Sequence, residues 1–252
     1  IDYVIFEFVP TTDWTFETAR ASIENAIKEL KKLGLAWSFL IDVNVCPPNE
    51  LMETKSRLGM IEELIRYIES RGWDEGLVTG PTGRPLMFVF FPVPADAIAL
   101  IENFSGKYEM RFPVYMPHWG RVDEKTNFTI LNPFTTEPGQ KGITLHEYLT
   151  PMNYISFSET TEKTSSYNGF CSVMPGYDDS LLNRSPLFTP KVEREGGENY
   201  RRRFKDAIAH RPDHIIIYGW NEYFETTNIE PTEEYGMLYV DITKEMTAAI
   251  KR

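Results

Sequence analysis

An α/β fold with a largely parallel sheet is what this chain predicts, and three observations in the sequence carry that prediction. Seven short runs rich in β-branched and aromatic residues begin near Tyr3, Leu35, Leu86, Phe112, Asn153, Gly169 and His214. Most are separated by stretches whose apolar residues recur every three or four positions, and strands alternating with helices in this way form parallel sheets. The length of 252 residues suits one large α/β domain, the size at which barrels occur as single units. A TIM-type (β/α)8 barrel needs eight strands. The expected architecture is therefore a single barrel domain over residues 1–252, its missing strand placed before Ile1.

Tyr3 to Phe8 (YVIFEF) reads as a strand in which Glu7 interrupts the apolar run. That carboxylate is either a functional group of the barrel interior or a strand-end residue facing a loop, because ionised side chains are seldom left unpaired in cores. A helix follows, with Phe16, Ala19, Ile23, Ile27 and Leu30 on one face and Gly34 where a C-terminal cap belongs. Leu35 to Ile41 is the next strand. Asp42, just past it, joins Glu7 as a candidate for the floor of a substrate pocket; its other role is an Asx cap on the following loop.

Beyond Pro47-Pro48, the residues Leu58, Ile61, Leu64, Ile65 and Ile68 mark an amphipathic helix that stops at Gly72. Pro85 to Pro92 is a continuous apolar strand, and Pro94 to Phe104 a short helix with proline at its start. The strand Phe112 to Met116 closes on Pro117-His118-Trp119-Gly120. His118 and Trp119 there form a candidate ligand-contact pair, with packing or a backbone hydrogen bond as the other use of the histidine. Residues 120–150 show weak periodicity and read as an irregular excursion, the kind of segment that shapes a substrate groove. Two short strands, Asn153 to Phe157 and Gly169 to Met174, come next, and the turn Pro175-Gly176-Tyr177-Asp178-Asp179 brings Tyr177 toward the same pocket. Glu198 to His210 is a helix whose Arg201, Arg202 and Arg203 serve as a solvated face or as partners for carboxylates, and a last helix ends the chain.

The stretch His214 to Gly236 organises the rest. Ile215, Ile216, Ile217 and Tyr218 make a β-branched run suited to a strand covered on both faces. Polarity then switches abruptly into Trp220, Asn221, Glu222, Tyr223, Phe224 and Glu225, two carboxylates among aromatics and an amide, past the C-terminal end of the strand. Parallel α/β folds keep their chemistry there. Two carboxylates in different surroundings divide the work of glycoside hydrolysis, and aromatic faces suit the C–H faces of sugars. Glutamates three apart also occur on solvated helix faces, but such a face does not open with Trp-Asn-Glu at the mouth of a strand.

The segment Trp220-Asn221-Glu222-Tyr223-Phe224-Glu225-Thr226-Thr227-Asn228-Ile229-Glu230-Pro231 resembles the last-strand motif of glycoside hydrolase family 99, the endo-acting α-mannosidases and their relatives from polysaccharide gene clusters. That pattern runs Asn-Glu-Trp-(His or Ala)-Glu-Gly-Thr-x-(Ile or Leu)-Glu. Pro175-Gly176-Tyr177-Asp178-Asp179 and Arg194-x-Gly196-Gly197-x-x-Tyr200 are similar to the same group in the same order. The resemblance covers the C-terminal third; elsewhere it rests on strand and helix order, and it makes Tyr3 to Phe8 the second barrel strand. It implies that Glu222 is the base that takes the proton of the sugar 2-hydroxyl, giving a 1,2-anhydro intermediate, and that Glu225 is the acid/base at the leaving oxygen, with retention of configuration. Trp220, Asn221, Tyr223, Tyr177, His118, Trp119, Glu7 and Asp42 are the expected substrate contacts. The chain departs from the pattern at Tyr223 (Trp in the family), Phe224 (His or Ala) and Thr226 (Gly). Two readings compete with this one: a non-hydrolytic carbohydrate-binding or polysaccharide-assembly domain on the same barrel, and an inverting or double-displacement glycosidase acting on β-glucans or β-mannans with Glu7 or Asp42.

Composition narrows the partners. At 42% hydrophobic and 25% charged residues the chain is ordinary globular material. A net charge of −11 argues against nucleic acid or an anionic membrane, whereas a neutral polysaccharide is indifferent to it. No apolar stretch approaches a membrane span. Neither a cofactor nor a metal is expected: there is no Gly-rich phosphate loop, no Cys-His metal spacing and no Gly-x-Ser-x-Gly elbow. Cys46 and Cys171 are expected as buried thiols. Sequons stand at Asn103, Asn127 and Asn183, and an extracellular or cell-surface location is the expectation.

Overall fold

A computed structural model describes residues 1–9, 14–43, 56–90, 94–115, 154–158, 168–182 and 191–250. The chain divides into two compact units, Ile1–Pro113 and Val114–Arg252. Both are α/β with parallel strand pairing, the class the alternation of elements predicts.

In the first unit the strands β1 (Tyr3–Phe8), β2 (Ala36–Ile41), β3 (Leu86–Val89) and β4 (Glu109–Tyr115) lie side by side in chain order, every pair parallel. Helices α1 (Trp14–Leu33), α2 (Arg57–Ser70) and α3 (Pro94–Phe104) make the connections. Trp37 to Ile41 are buried without a break, because β2 is flanked by a strand on each side and covered on both faces. Ser56 starts α2 by accepting the Gly59 N–H at 3.1 Å, and Met60, Ile61, Leu64, Ile65 and Ile68 form its inner face. Phe8, Phe39, Tyr67 and Trp73 then pack ring against ring, with neighbouring centroids 5.7 to 6.2 Å apart. Full burial of a side chain such as Phe8 or Phe39 contributes about 1.5–3 kcal/mol. The indole of Trp37 donates to the Trp73 carbonyl at 2.7 Å, and its ring occupies the space a side chain at position 76 would need, so Gly76 has to be glycine.

β4 begins three residues earlier than the apolar run suggests. Its first turn of ladder carries Glu109 and Arg111, both buried, which hydropathy cannot recognise as strand. Glu109 Oε1 accepts from Arg111 Nε at 2.9 Å and Nη2 at 2.5 Å, while Oε2 accepts the Thr82 N–H at 2.9 Å and its hydroxyl at 2.5 Å. Burial alone would raise this carboxyl; the two Thr82 bonds and the guanidinium outweigh it and hold Glu109 below the usual carboxylate range.

In the second unit β5 (Tyr154–Ser158) runs beside β6 (Phe170–Val173), which pairs in parallel with β7 (His214–Ile217). Helices α4 (Glu198–Ala209) and α5 (Leu238–Ile250) complete the unit. Its core holds Cys171, Val173, Tyr200, Phe204, Ala207, Ile229, Tyr239, Ile242 and Met246. Cys171 is therefore buried as expected, and Cys46 lies outside the described residues. The reading of β7 as a strand covered on both faces needs correction. Only Ile216 is buried and its neighbours are half-buried, since among the described residues β7 has a ladder partner on one side only. The His214 ring stacks on its cross-strand partner Phe170 with centroids 4.6 Å apart.

The three consecutive arginines of α4 separate by helical phase. Arg201 pairs with Glu245 and Glu198, and Arg202 with Glu195, as the surrounding acidic composition suggests. Arg203, by contrast, is buried, its Nε 3.4 Å from the Asn199 side-chain oxygen. Among the described residues no helix is long and apolar enough to cross a membrane.

Candidate active site

The chain leaves β7 through Tyr218, whose N–H still reaches the Val173 carbonyl at 2.8 Å. It turns at Gly219 in a left-handed conformation, φ +93°, where an added Cβ would sit 2.5 Å from Thr227 Oγ1 and 3.1 Å from the Thr227 carbonyl oxygen. The loop then closes on itself. Ile229 N–H meets the Gly219 and Trp220 carbonyls at 3.1 Å, Glu230 N–H meets Trp220 O at 2.9 Å, and Thr227 and Asn228 N–H converge on Glu222 O at 3.1 and 3.2 Å. Residues 219–230 thus form a compact loop with bonded ends, rigid enough to carry oriented side chains. Gly219→Ala is expected to destabilise the second unit by more than about 1 kcal/mol, since alanine fits neither that φ nor that space. A urea titration that leaves the midpoint unchanged would contradict this.

The loop gives its two carboxylates different surroundings. Glu225 is 4% exposed, and its Oε2 accepts the Tyr218 hydroxyl at 2.7 Å. Glu222 is half-buried, with Oε1 accepting the N–H of Phe224 at 3.0 Å and of Glu225 at 3.4 Å. Around them the aromatics face outward: Trp220, Tyr223 and Phe224 are 54%, 47% and 65% exposed, and Asn221 is exposed as well. The Tyr223 hydroxyl donates to Glu230 at 2.5 Å, and this bond to a carboxylate raises its pKa above the ordinary phenol. That bond ties the Glu230 side chain to the loop.

The turn after β6 lies against this loop. Asp178 N–H donates to the Glu225 carbonyl at 3.0 Å. Tyr177 exchanges backbone bonds with Val192 at 2.9 and 2.8 Å, and its buried hydroxyl donates to Asp179 at 3.1 Å. The turn stands against the carboxylate loop, and the Tyr177 hydroxyl is engaged within the turn. Asp178 is held below the usual carboxylate range by the Ser180 hydroxyl and N–H and by the Lys191 ammonium.

The structure thus brings Glu222, Glu225, Trp220, Asn221 and Tyr223 into one loop and sets Tyr177 beside it. Glu7 and Asp42 stand near the C-terminal ends of β1 and β2 in the first unit, Glu7 exposed and Asp42 buried with its N–H on the Phe8 carbonyl at 3.2 Å. His118 and Trp119 lie outside the described residues. Hydropathy places Tyr218 at the end of the strand and does not reveal that its hydroxyl is the donor to Glu225. A phenol at the end of an otherwise aliphatic strand was the available signal. Thr226, where the family pattern has glycine, has φ +50°, a left-handed conformation that favours glycine and that a β-branched residue rarely adopts.

With this geometry in view, the fold is one shared with solved glycoside hydrolases. The GH99 endo-α-mannosidase from Bacteroides thetaiotaomicron in complex with bis-tris propane superposes over 98% of this chain and 80% of its own, with a TM-score of 0.59 and 17% identity. A second structure of a GH99 endo-α-mannosidase from the same organism covers 100% of this chain and 77% of its own, with a TM-score of 0.58 and 17% identity. No family model and no curated protein matches the sequence. At this identity the likeness is one of fold, and it points to the same family as the motif resemblance.

Proposed function

We propose that the chain is a glycoside hydrolase of (β/α)8 architecture, a single catalytic domain cleaving a polysaccharide or glycan internally at α-mannoside-like linkages with retention of configuration. The observation that carries this reading is the loop after β7. It holds one carboxylate withdrawn from solvent and oriented by a phenol, a second set three residues before it, and exposed aromatic rings beside both.

Glu222, fixed through Oε1 by two backbone amides, accepts the proton of the sugar 2-hydroxyl through Oε2 as the 2-oxygen attacks the anomeric carbon. The bond from that carbon to the leaving oxygen breaks, and Glu225 delivers a proton to the departing oxygen. Water then opens the 1,2-anhydro sugar with Glu225 as base, and the proton on Glu222 returns to the 2-oxygen. Two inversions give net retention without an enzyme nucleophile, so the usual inference from carboxylate separation does not apply. Asn221 and Tyr223, with Tyr177, His118 and Trp119, are the proposed substrate contacts, and the location proposed is extracellular or cell-surface.

Incubation with α-mannan oligosaccharides and NMR of the first-formed anomer tests the reading. An α product from an α linkage supports it; bound glycan with no released reducing sugar favours the non-hydrolytic carbohydrate-binding alternative. Trp220→Ala is expected to weaken oligosaccharide binding roughly tenfold, the loss of one aromatic contact of about 1.4 kcal/mol. Calorimetry giving wild-type affinity would exclude Trp220 from the sugar platform.

A further inference from the structure

We infer that Arg194 is the positioning residue of the carboxylate loop, setting the backbone on which Glu225 and Glu222 are displayed. Its Nη2 donates to the Thr226 carbonyl at 2.6 Å, the Asn228 carbonyl at 3.0 Å and the Asn228 side-chain oxygen at 2.8 Å. The guanidinium is itself fixed from two directions, its central carbon 4.7 Å from the ring centroids of both Tyr235 and Tyr239. Nη1 is buried and has no hydrogen-bond partner among the described residues, and the guanidinium carbon lies over both rings. Arginine suits this place because its planar fork bonds in one plane while stacking on rings, which an ammonium cannot do.

The residue it grips is the strained one. Thr226 sits at φ +50°, a conformation a β-branched residue avoids, and the carbonyl of this residue is an Arg194 acceptor. Immediately before it stands Glu225, whose own carbonyl is tied to Asp178. The Arg194 bonds at Thr226 and Asn228 and the Asp178 bond at Glu225 therefore brace three of the four carbonyls from Glu225 to Asn228. The direction of the Glu225 side chain follows from those units, and Arg194 touches neither carboxylate. It stands in sequence just before the Gly196-Gly197 turn that leads into α4, with Gly196 and Gly197 both left-handed, so the arginine is delivered to the loop from the base of a helix packed in the core.

The test is Arg194→Lys in the full chain, read in two ways. Native-state hydrogen exchange is followed at the amides of Thr227, Asn228 and Ile229, with those of β6 and β7 as the internal reference. Exchange at least tenfold faster in the loop with the reference unchanged supports the assignment; wild-type rates, or equal acceleration throughout the unit, overturn it. The second readout rests on the glycosidase reading: kcat falls ten- to a hundredfold with KM within threefold, and Thr226→Gly added to Arg194→Lys restores part of kcat by relieving the left-handed residue. A KM increase alone overturns the positioning role. If the wild-type protein releases no sugar, that reading fails while exchange still decides the role of Arg194. Should Arg194→Lys not fold, Asn228→Ala removes one acceptor and is expected to give the same local exchange pattern in weaker form; its absence overturns the assignment.

Discussion

Glu225→Gln is expected to lower glycan cleavage by about 10²–10⁴-fold, the usual contribution of a positioned general acid–base group. Glutamine keeps the shape of the side chain and still offers an oxygen to the Tyr218 hydroxyl at a site only 4% exposed, so the fold should persist and the loss should be chemical. Initial rates of reducing-sugar release, with a thermal melt beside them, distinguish the two. Glu222→Gln should fall in the same range, because an amide cannot take the proton of a 2-hydroxyl. Near-normal turnover in either variant would remove that glutamate from the mechanism, and a fall in both rate and melting temperature would assign it to the loop's architecture.

The largest effect on stability is expected from Glu109→Ala. Removing one member of a buried ion pair typically costs about 3–5 kcal/mol. Here the alanine would take from Arg111 its bonds to Oε1 and from Thr82 both of its bonds to Oε2. A urea titration of the variant should show the drop, and an unchanged midpoint would mean that the first unit accommodates the change at no cost. The pH dependence follows from the direction of the shift. Glu109 titrates lower in the folded chain than in the unfolded one, so its stabilising contribution is complete above the ordinary carboxylate pKa and is lost as pH falls through the folded value. Glu109→Gln should flatten that acidic limb of the stability curve relative to wild type.

Much of the fold was legible because burial and periodicity agreed. The run YVIFEF is β1 from Tyr3 to Phe8 as read, and proline at its first turn placed α3 at Pro94–Phe104. Illegibility began where polar residues do the work of apolar ones. Glu109 and Arg111 hid the start of β4, and Arg203 was indistinguishable from the solvated Arg201 and Arg202 until helical phase put it inside. The same holds for the candidate site. The loop was marked by an abrupt change from isoleucines to Trp-Asn-Glu, whereas the hydroxyl of Tyr218 on Glu225 depends on how the chain doubles back after Gly219, which side-chain periodicity does not encode.

The tether on Glu222 has an entropic consequence. A free glutamate loses up to about 1.5–2 kcal/mol of rotamer freedom when a bound molecule immobilises it. Glu222 has surrendered much of that freedom during folding, to the amides of Phe224 and Glu225. In the proposed mechanism a sugar hydroxyl arriving at Oε2 would meet an acceptor already aimed, so that the ordering recognition usually demands is moved from the encounter into the making of the loop.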